Sequence, residues 1–352
     1  MNKQSPTNIN AVTGLVEGTF GIGTFEYDGV NFPAIVKPDG AIANLSDMFV
    51  DTHAIFDDWA RAFDKLVDVA ARNDAPNLYL QQVKPMPPVR RPNLLCGGAN
   101  YRQHVAEMMT YNRFNAQYRR DGESDADFFQ RNLDAIDRRS REGMPFFWTG
   151  LHSSLVGAND DIILPVVGEQ HDWELELAAV LGGTGRHLYP EEAEKLVAGY
   201  VVVNDIGTVS EFRRSDLNWG FDWISKSQPS FKPAGPFIVP AAFVSLGDDV
   251  RIKLKVNGIT KQDWPVTDMI FDIAKLLSYA SERVRLMPGD MLLTGSPPGN
   301  GAFHGQFLKD GDIIESSITY LGSQRNICVQ ENIGNRNPVW GSFNRLTQII
   351  PG

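Results

Sequence analysis

Between residues 15 and 50, apolar and polar positions alternate in short runs broken by turns, as in TFEYDGVNFPAIVKPDGAIANL. Alternation with period two predicts half-buried strands. Asp28-Gly29 and Asp39-Gly40 are hairpin signals between them. DWARAFDKLVDVAARN then takes helical spacing, with Trp59, Phe63, Leu66 and Val67 on one face. The Pro-rich VKPMPPVRRPN that follows reads as a linker. It divides a small N-terminal α+β domain (1–88) from a main body (89–335), with a C-terminal tail at 336–352.

Past Pro145 the pattern is strongly β: DIILPVV, LELAAVLGG, AGYVVVNDIG, GPFIVP, VRIKLKVNG, GDMLLTGSPPG and GDIIESSITYLG are short apolar runs closed by Gly, Asn, Asp or Pro. Two helices interrupt them. PEEAEKLVAGY has Pro at its start and acidic residues in its first turn. VTDMIFDIAKLLSYASERV is expected to be capped at Thr267 or Asp268. Helices do not alternate regularly with strands, which excludes a doubly wound parallel sheet. The expected class is α+β, mostly β, with a mixed, largely antiparallel body. Residues Met108 to Met144 stand apart. They are dense in Arg, Asp, Gln and Asn, with scattered Tyr111, Phe114, Tyr118, Phe128, Phe129, Leu133 and Ile136. Such an insertion is either a solvated helical excursion or a lid over a site.

Composition narrows the function. The 352 residues are 42% hydrophobic and 22% charged, ordinary for a soluble globular protein. With 33 basic against 43 acidic residues, the net charge of −10 argues against a nucleic-acid or anionic-membrane surface. Two cysteines, Cys96 and Cys328, exclude a disulfide framework or a zinc–thiolate site. The first residues lack a signal-peptide pattern, and no apolar run reaches the length of a membrane span. A reducing cytoplasm is the expected location.

The chemistry lies where charges interrupt apolar runs. In EQHDWELELAAVLGG, Glu174 and Glu176 sit two apart and so share a strand face. Burying two unpaired carboxylates is expensive. GYVVVNDIG places Asp205 at the end of a second apolar strand. Three such carboxylates suit a hard divalent cation, Mg²⁺ first, with Mn²⁺ or Ca²⁺ as alternatives. The alternative is a solvated sheet face. Lys226 could offset the excess negative charge, or lie at the surface. His104 and Glu107, three apart on a helical turn, could pair as a general base, or be an ordinary surface pair. The glycine-rich GNGAFHG and LGGTGRHL do not follow the strand–GxGxxG–helix order of dinucleotide sites.

Taken in order, GANYRQHVAEM, DWELELAAVLG, GYVVVNDIG, KSQPSFKPAGP and LMPGDMLLTGSPPGNG resemble the successive motifs of the fumarylacetoacetate hydrolase family, over about Leu94 to Val329. The resemblance implies a mixed β-roll or sandwich, a homodimer, and a divalent metal. It implies Glu174, Glu176 and Asp205 as metal ligands, and Lys226 and Thr294 against metal-bound water or substrate oxygens. His104 and Glu107 would activate water on a mobile lid, and Tyr101 would line the substrate. The expected activity is hydrolysis of a carbon–carbon bond in a small 1,3-dicarbonyl compound. Decarboxylation, hydration or keto–enol isomerisation on the same site are the alternatives, and a non-catalytic metal-stabilised binding protein is a further one. Four positions, at three places in the chain, depart from the family pattern. Val209 stands where an arginine often grips a substrate carboxylate, leaving Arg213 or Arg214 as the candidate substitute. Gly150 stands where relatives often have Lys, and Gln228-Pro229 replace a Phe-Asp pair. They point to a bulkier or less acidic dicarbonyl.

Overall fold

The computed structural model describes residues 9–72, 74–111, 118–214 and 222–343. Phe114, expected in the insertion, lies outside them. The architecture is mixed α/β built on two large sheets, in agreement with the α+β expectation.

The larger sheet has twelve strands. From Gly21–Tyr27 to its edge it runs through Lys232–Pro240, Val197–Asn204, Leu175–Leu181, Met291–Leu293, Leu94–Gly98 and Phe146–Gly150. Leu175–Leu181 and Val197–Asn204 pair antiparallel, Leu175 opposite Asn204. Every residue of both strands is buried. The reading of Glu174 and Glu176 as a solvated sheet face therefore fails for Glu176, which is 3% exposed. The second sheet has five strands, ordered Ile259–Pro265, Arg251–Val256, Ile313–Ile318, Ser323–Gln330 and Ile162–Leu164. Here burial alternates along Arg251–Val256 and along Ser323–Gln330, so one face meets solvent. Its inner residues, including Ile252, Leu254 and Ile314, form one apolar core with Leu177, Val202 and Phe237 of the larger sheet.

The N-terminal turns form as predicted. Tyr27 pairs with Val30 across Asp28-Gly29, whose φ angles of 51° and 78° are those of a two-residue hairpin turn. Helix Trp59–Ala70 buries Ala62, Leu66 and Val69, while Val67 is 41% exposed and lies off the buried stripe. The N-terminal segment has a small core of its own around Phe20, Ile35, Ile55 and Leu66. Even so, its strand Gly21–Tyr27 is hydrogen-bonded into the larger sheet, with Ile22 opposite Ile238. Trp59 also packs on the end of the central strand. A Cβ at Gly182 would come within 2.6 Å of its side chain.

Two helix expectations need correction. The helix expected from Thr267 or Asp268 spans Ile273–Ser281, and Asp272 is its cap, accepting from the Lys275 N–H at 2.8 Å. Asp268 instead accepts from the Gln103 N–H and the Trp264 indole, at 3.0 and 2.8 Å. In PEEAEKLVAGY the α-helix covers only Pro190–Ala193, and its last four residues already belong to strand Val197–Asn204. The insertion contributes helix Asp125–Glu142, which packs on helix Arg102–Tyr111, the helix of His104. Arg102 grips Asp137 through two hydrogen bonds of 2.6 and 2.8 Å, and Asn132 reaches Thr110 at 3.0 Å. Phe128, Leu133 and Ile136 are its buried stripe. Three of the scattered apolar residues of the sequence are thus one helix face, while Tyr111 ends the neighbouring helix and Tyr118 is exposed.

Because a side chain at Gly182 must displace Trp59, Gly182→Ala is expected to lower stability by about 1–3 kcal/mol. The check is a downward shift of the denaturant midpoint at unchanged slope.

Candidate active site

Glu174, Glu176 and Asp205 come together because neighbouring strands carry them. The Asp205 N–H bonds the Glu174 carbonyl at 2.7 Å, and the Glu174 N–H bonds the Asn204 side chain at 3.0 Å. The pairing thus continues one step past the ladder. One carboxylate oxygen from each residue can be chosen so that all three lie within 4.8 Å of one another. Among the described residues this is the one group of three or more acidic, histidine or cysteine side chains close enough to hold a metal ion.

Two lysines lie against the carboxylates. The Lys226 ammonium donates to Glu174 Oε2 at 2.6 Å, to Asp205 Oδ2 at 2.8 Å and to the Asp205 carbonyl at 3.0 Å. An ammonium has three protons, so all are committed. In this arrangement Lys226 orients two candidate ligands and has no proton left for a substrate oxygen. Lys232, fully buried, pairs with Asp205 Oδ1 at 2.5 Å and donates to the Lys226 carbonyl. Trp148 lies 5.7 Å from the Lys226 ammonium and 5.3 Å from that of Lys232, and Phe212 lies 5.7 Å from Lys226.

Three carboxylates against two ammonium groups leave one negative charge in excess. Its effect falls unevenly. Burial opposes the charge on Asp205, but Lys226 and Lys232 outweigh it and hold this carboxyl below its usual range. Glu176 is pushed well above its range by burial and then by the charge of Asp205. Glu174 is raised too, by burial first, against the pull of Lys226. Glu174 and Glu176 are therefore oxygen donors short of positive charge, which a hard divalent cation would supply. The donor set fits such an ion.

The remaining expected residues approach from other elements. Strand Met291–Leu293 delivers Thr294, whose hydroxyl donates to the Leu177 carbonyl at 2.9 Å, and Gly295, whose N–H donates to Glu176 Oε2 at 2.8 Å. The Tyr101 hydroxyl is buried close to Thr294, and burial raises its pKa far above the ordinary range. His104 has a buried Nδ1 without a partner. Burial, and then the charge of Lys226, lowers its pKa to about 4. Glu107 shares its helix but is not bonded to it. Its Oε1 accepts from Gln103 Nε2 at 2.9 Å, and its buried Oε2 has no partner. Spacing put the two on one helix but did not anticipate that Gln103 would hold the carboxylate. Arg213 is exposed and lies outside the buried cluster. Its neighbour Arg214 faces Asp222 at 3.8 Å.

Sequence reasoning passed over Lys232, though a signal was present. It heads the wholly buried run KPAGPFIVP, a charge in an apolar strand like Glu176. Asp172 was passed over as well. Its carboxylate accepts from the N–H groups of Gly301 and Ala302, tying helix Gly301–His304 beside the triad. Burial, and then the charge of Glu174, lifts Asp172 to about 7.

The family model described as fumarylacetoacetate (FAA) hydrolase C-terminal matches residues 93–329. The chain belongs to this family. All three carboxylates, both lysines and His104 lie inside the matched span. Family relatives differ in activity by name. A 2,4-didehydro-3-deoxy-L-rhamnonate hydrolase of Sphingomonas sp. (strain SKA58) is 39% identical over 51% of this chain and 64% of its own length. A mitochondrial oxaloacetate tautomerase of Rattus norvegicus is 31% identical over 73% of this chain and 74% of its own. The chain thus spans less than two thirds of the first of these relatives. Among solved structures, a fumarylacetoacetate hydrolase from psychrophilic Exiguobacterium antarcticum superposes with a TM-score of 0.66 at 26% identity, covering 89% of this chain and all of that one. A maleylpyruvate hydrolase from Sphingobium sp. SYK-6, solved with manganese(II) and pyruvate, shares the fold at 23% identity and the same TM-score of 0.66, covering 89% of this chain and 100% of that one. Among the described residues no helix is long and apolar enough to cross a membrane.

Glu176→Gln separates the two faces of this site. A carboxyl raised by folding destabilises the native state increasingly as pH rises from its unfolded value toward its folded one. At pH 7 in EDTA the variant is therefore expected to melt no lower than the wild type. With Mn²⁺ it loses most of the rise in melting temperature, and calorimetry reads an affinity at least about 10-fold weaker.

Proposed function

We propose that the chain is a metal-dependent hydrolase that cleaves a carbon–carbon bond in a 1,3-dicarbonyl compound. The observation that carries this reading is the buried, unpartnered Nδ1 of His104 beside the carboxylate–lysine cluster. A ring held neutral at pH 7 is ready to accept a proton. Glu174, Glu176 and Asp205 would hold the cation, Mg²⁺ by preference, whose contribution is to polarise a substrate carbonyl as a Lewis acid. His104 takes a proton from water, and the oxygen of that water adds to the distal carbonyl carbon. The carbon–carbon bond then breaks, its electron pair passing to the leaving carbon as an enolate. The proton held on His104 returns to that carbon. Substrate and one water become a carboxylic acid and a ketone. Lys226 and Lys232 fix Asp205 and offset its charge throughout. The buried Tyr101 hydroxyl, next to Thr294, is a donor for a substrate oxygen.

A group of aromatic rings beyond His104 supports an apolar distal group. Tyr111 lies two helical turns from His104, and its ring is 6.4 Å from Phe129 and 6.1 Å from Phe303. Phe303 belongs to the helix tied by Asp172. Together with Val209 in place of an arginine, these rings support a bulkier, less acidic dicarbonyl. The reading includes the homodimer expected from the family resemblance. Light scattering would then give a mass near twice 39.1 kDa.

One observation favours a second reading, keto–enol tautomerisation. Glu107 is held by Gln103 and not by His104, and a lone imidazole can move a proton without activating water. Mass spectrometry of a dicarbonyl panel with Mg²⁺ or EDTA decides. Two fragments summing to substrate plus water, lost with EDTA, support hydrolysis. Mass-neutral conversion with deuterium uptake between the carbonyls supports tautomerisation, and a panel untouched by either route overturns both. In either case His104→Ala is expected to lower kcat by about 10²–10⁴-fold. The base works only when neutral, so the rate is retained well below pH 6 and lost as pH falls through about 4.

A further inference from the structure

The tail after the matched span returns to the site. Glu211, 4% exposed, lies in the turn Val209–Glu211 that follows Asp205. Its carboxylate accepts from the Ser342 hydroxyl and from the Phe343 N–H, the latter at 3.0 Å. The Arg214 guanidinium lies 5.2 Å from the Phe343 ring, a second contact between the same turn and the tail. Next to Glu211 is Phe212, the ring 5.7 Å from the Lys226 ammonium. Phe212 is gripped from the other side. Its carbonyl accepts from the Asp222 N–H at 2.8 Å, and its ring packs 5.3 Å from Trp223. A Cβ at Gly207 would lie 2.6 Å from the tip of the Phe212 ring, so the ring rests directly on the backbone two residues past Asp205.

We propose that the C-terminal tail is part of the active-site wall: Ser342 and Phe343 clamp Glu211, which sets Phe212 over Lys226. Glu211 acts as a positioning residue and touches neither substrate nor metal. Two observations carry this. A buried carboxylate at the end of a short turn is costly unless it is satisfied, and here its donors come from more than 130 positions further along the chain. The clamped turn also carries the ring that, with Trp148, encloses the Lys226 ammonium. A wall held this way tunes the aim of Lys226, and a misplacement of about 1 Å at such a group can cost up to about 10²-fold in rate. The kinetic consequence rests on the hydrolase or tautomerase reading. The clamp itself does not.

The test compares the full chain with a chain ending at Asn335 and with Glu211→Gln. Amide exchange over residues 206–214 is expected to accelerate at least about 10-fold in the shortened chain and less in the Gln variant. Mn²⁺ affinity by calorimetry is expected to fall by no more than about 10-fold, since the triad is kept and only the hold of Lys226 on Glu174 and Asp205 is loosened. With any dicarbonyl that the full chain converts, kcat is expected to fall by about 10–100-fold with KM nearly unchanged. Unchanged exchange over 206–214 overturns the clamp, whatever the activity. Accelerated exchange with unaltered kcat on a converted substrate overturns its role in positioning. A parallel collapse of Mn²⁺ affinity and melting temperature also overturns it, because the tail would then be a general prop for the fold. A full chain that converts no dicarbonyl counts against the functional reading alone, and the exchange result still decides the clamp.

Discussion

The structure turns on the attraction between Asp205 and two buried ammonium groups. Lys226 and Lys232 reach opposite oxygens of the same carboxylate, and both lysines are buried. Desolvating five charged side chains together is tolerable only because each ammonium lies within hydrogen-bonding distance of carboxylate oxygen. Their sum is still not zero. The surplus sits on Glu174 and Glu176, the two carboxylates that resist ionisation. The arrangement is an incomplete neutralisation that a divalent ion would complete. That explains how the sheet can carry three acidic groups at the ends of two wholly buried and largely apolar strands.

The sheet and its loops divide the labour. Adjacent strands fix the carboxylates through a register that a one-residue slip would destroy. The groups that would meet substrate come from outside the central ladder: a ten-residue helix with the residue before it, and a loop after a three-residue strand. The helix of His104 does not stand alone, however. Asp137 and Asn132 of the insertion grip it at both ends, through Arg102 and Thr110. A segment that reads as an interruption of the body thereby supports the residue that would do the proton transfer.

Much of this was legible in the sequence, for stated reasons. A charge inside an apolar run is costly, so Glu176 and Asp205 announced themselves. Asp28-Gly29 announced its turn because its φ angles suit few other residues. What stayed hidden depends on partners far along the chain. Nothing near Glu107 shows that Gln103 will take its carboxylate, and nothing near Glu211 points to Ser342. Lys232 was readable but was overshadowed by Lys226 six residues earlier. Val67 was misplaced because helical spacing leaves an ambiguity of one position at the margin of a stripe. The cap of helix Ile273–Ser281 was misplaced because TDMIFD offers three capping residues, and tertiary bonds claim Asp268.

The pairing of Ile22 with Ile238 bears on how much of the chain can stand alone. Residues 93–329 hold the whole charged cluster. Yet the strand that begins with Lys232 is covered in its second half by Gly21–Tyr27, from outside that span. Excised, the apolar PFIV stretch would present unpaired N–H and C=O groups to solvent, a template on which another copy could add a strand. The first ninety residues in this sense close a strand edge against indiscriminate strand addition, and among the described residues none of their side chains lies in the charged cluster.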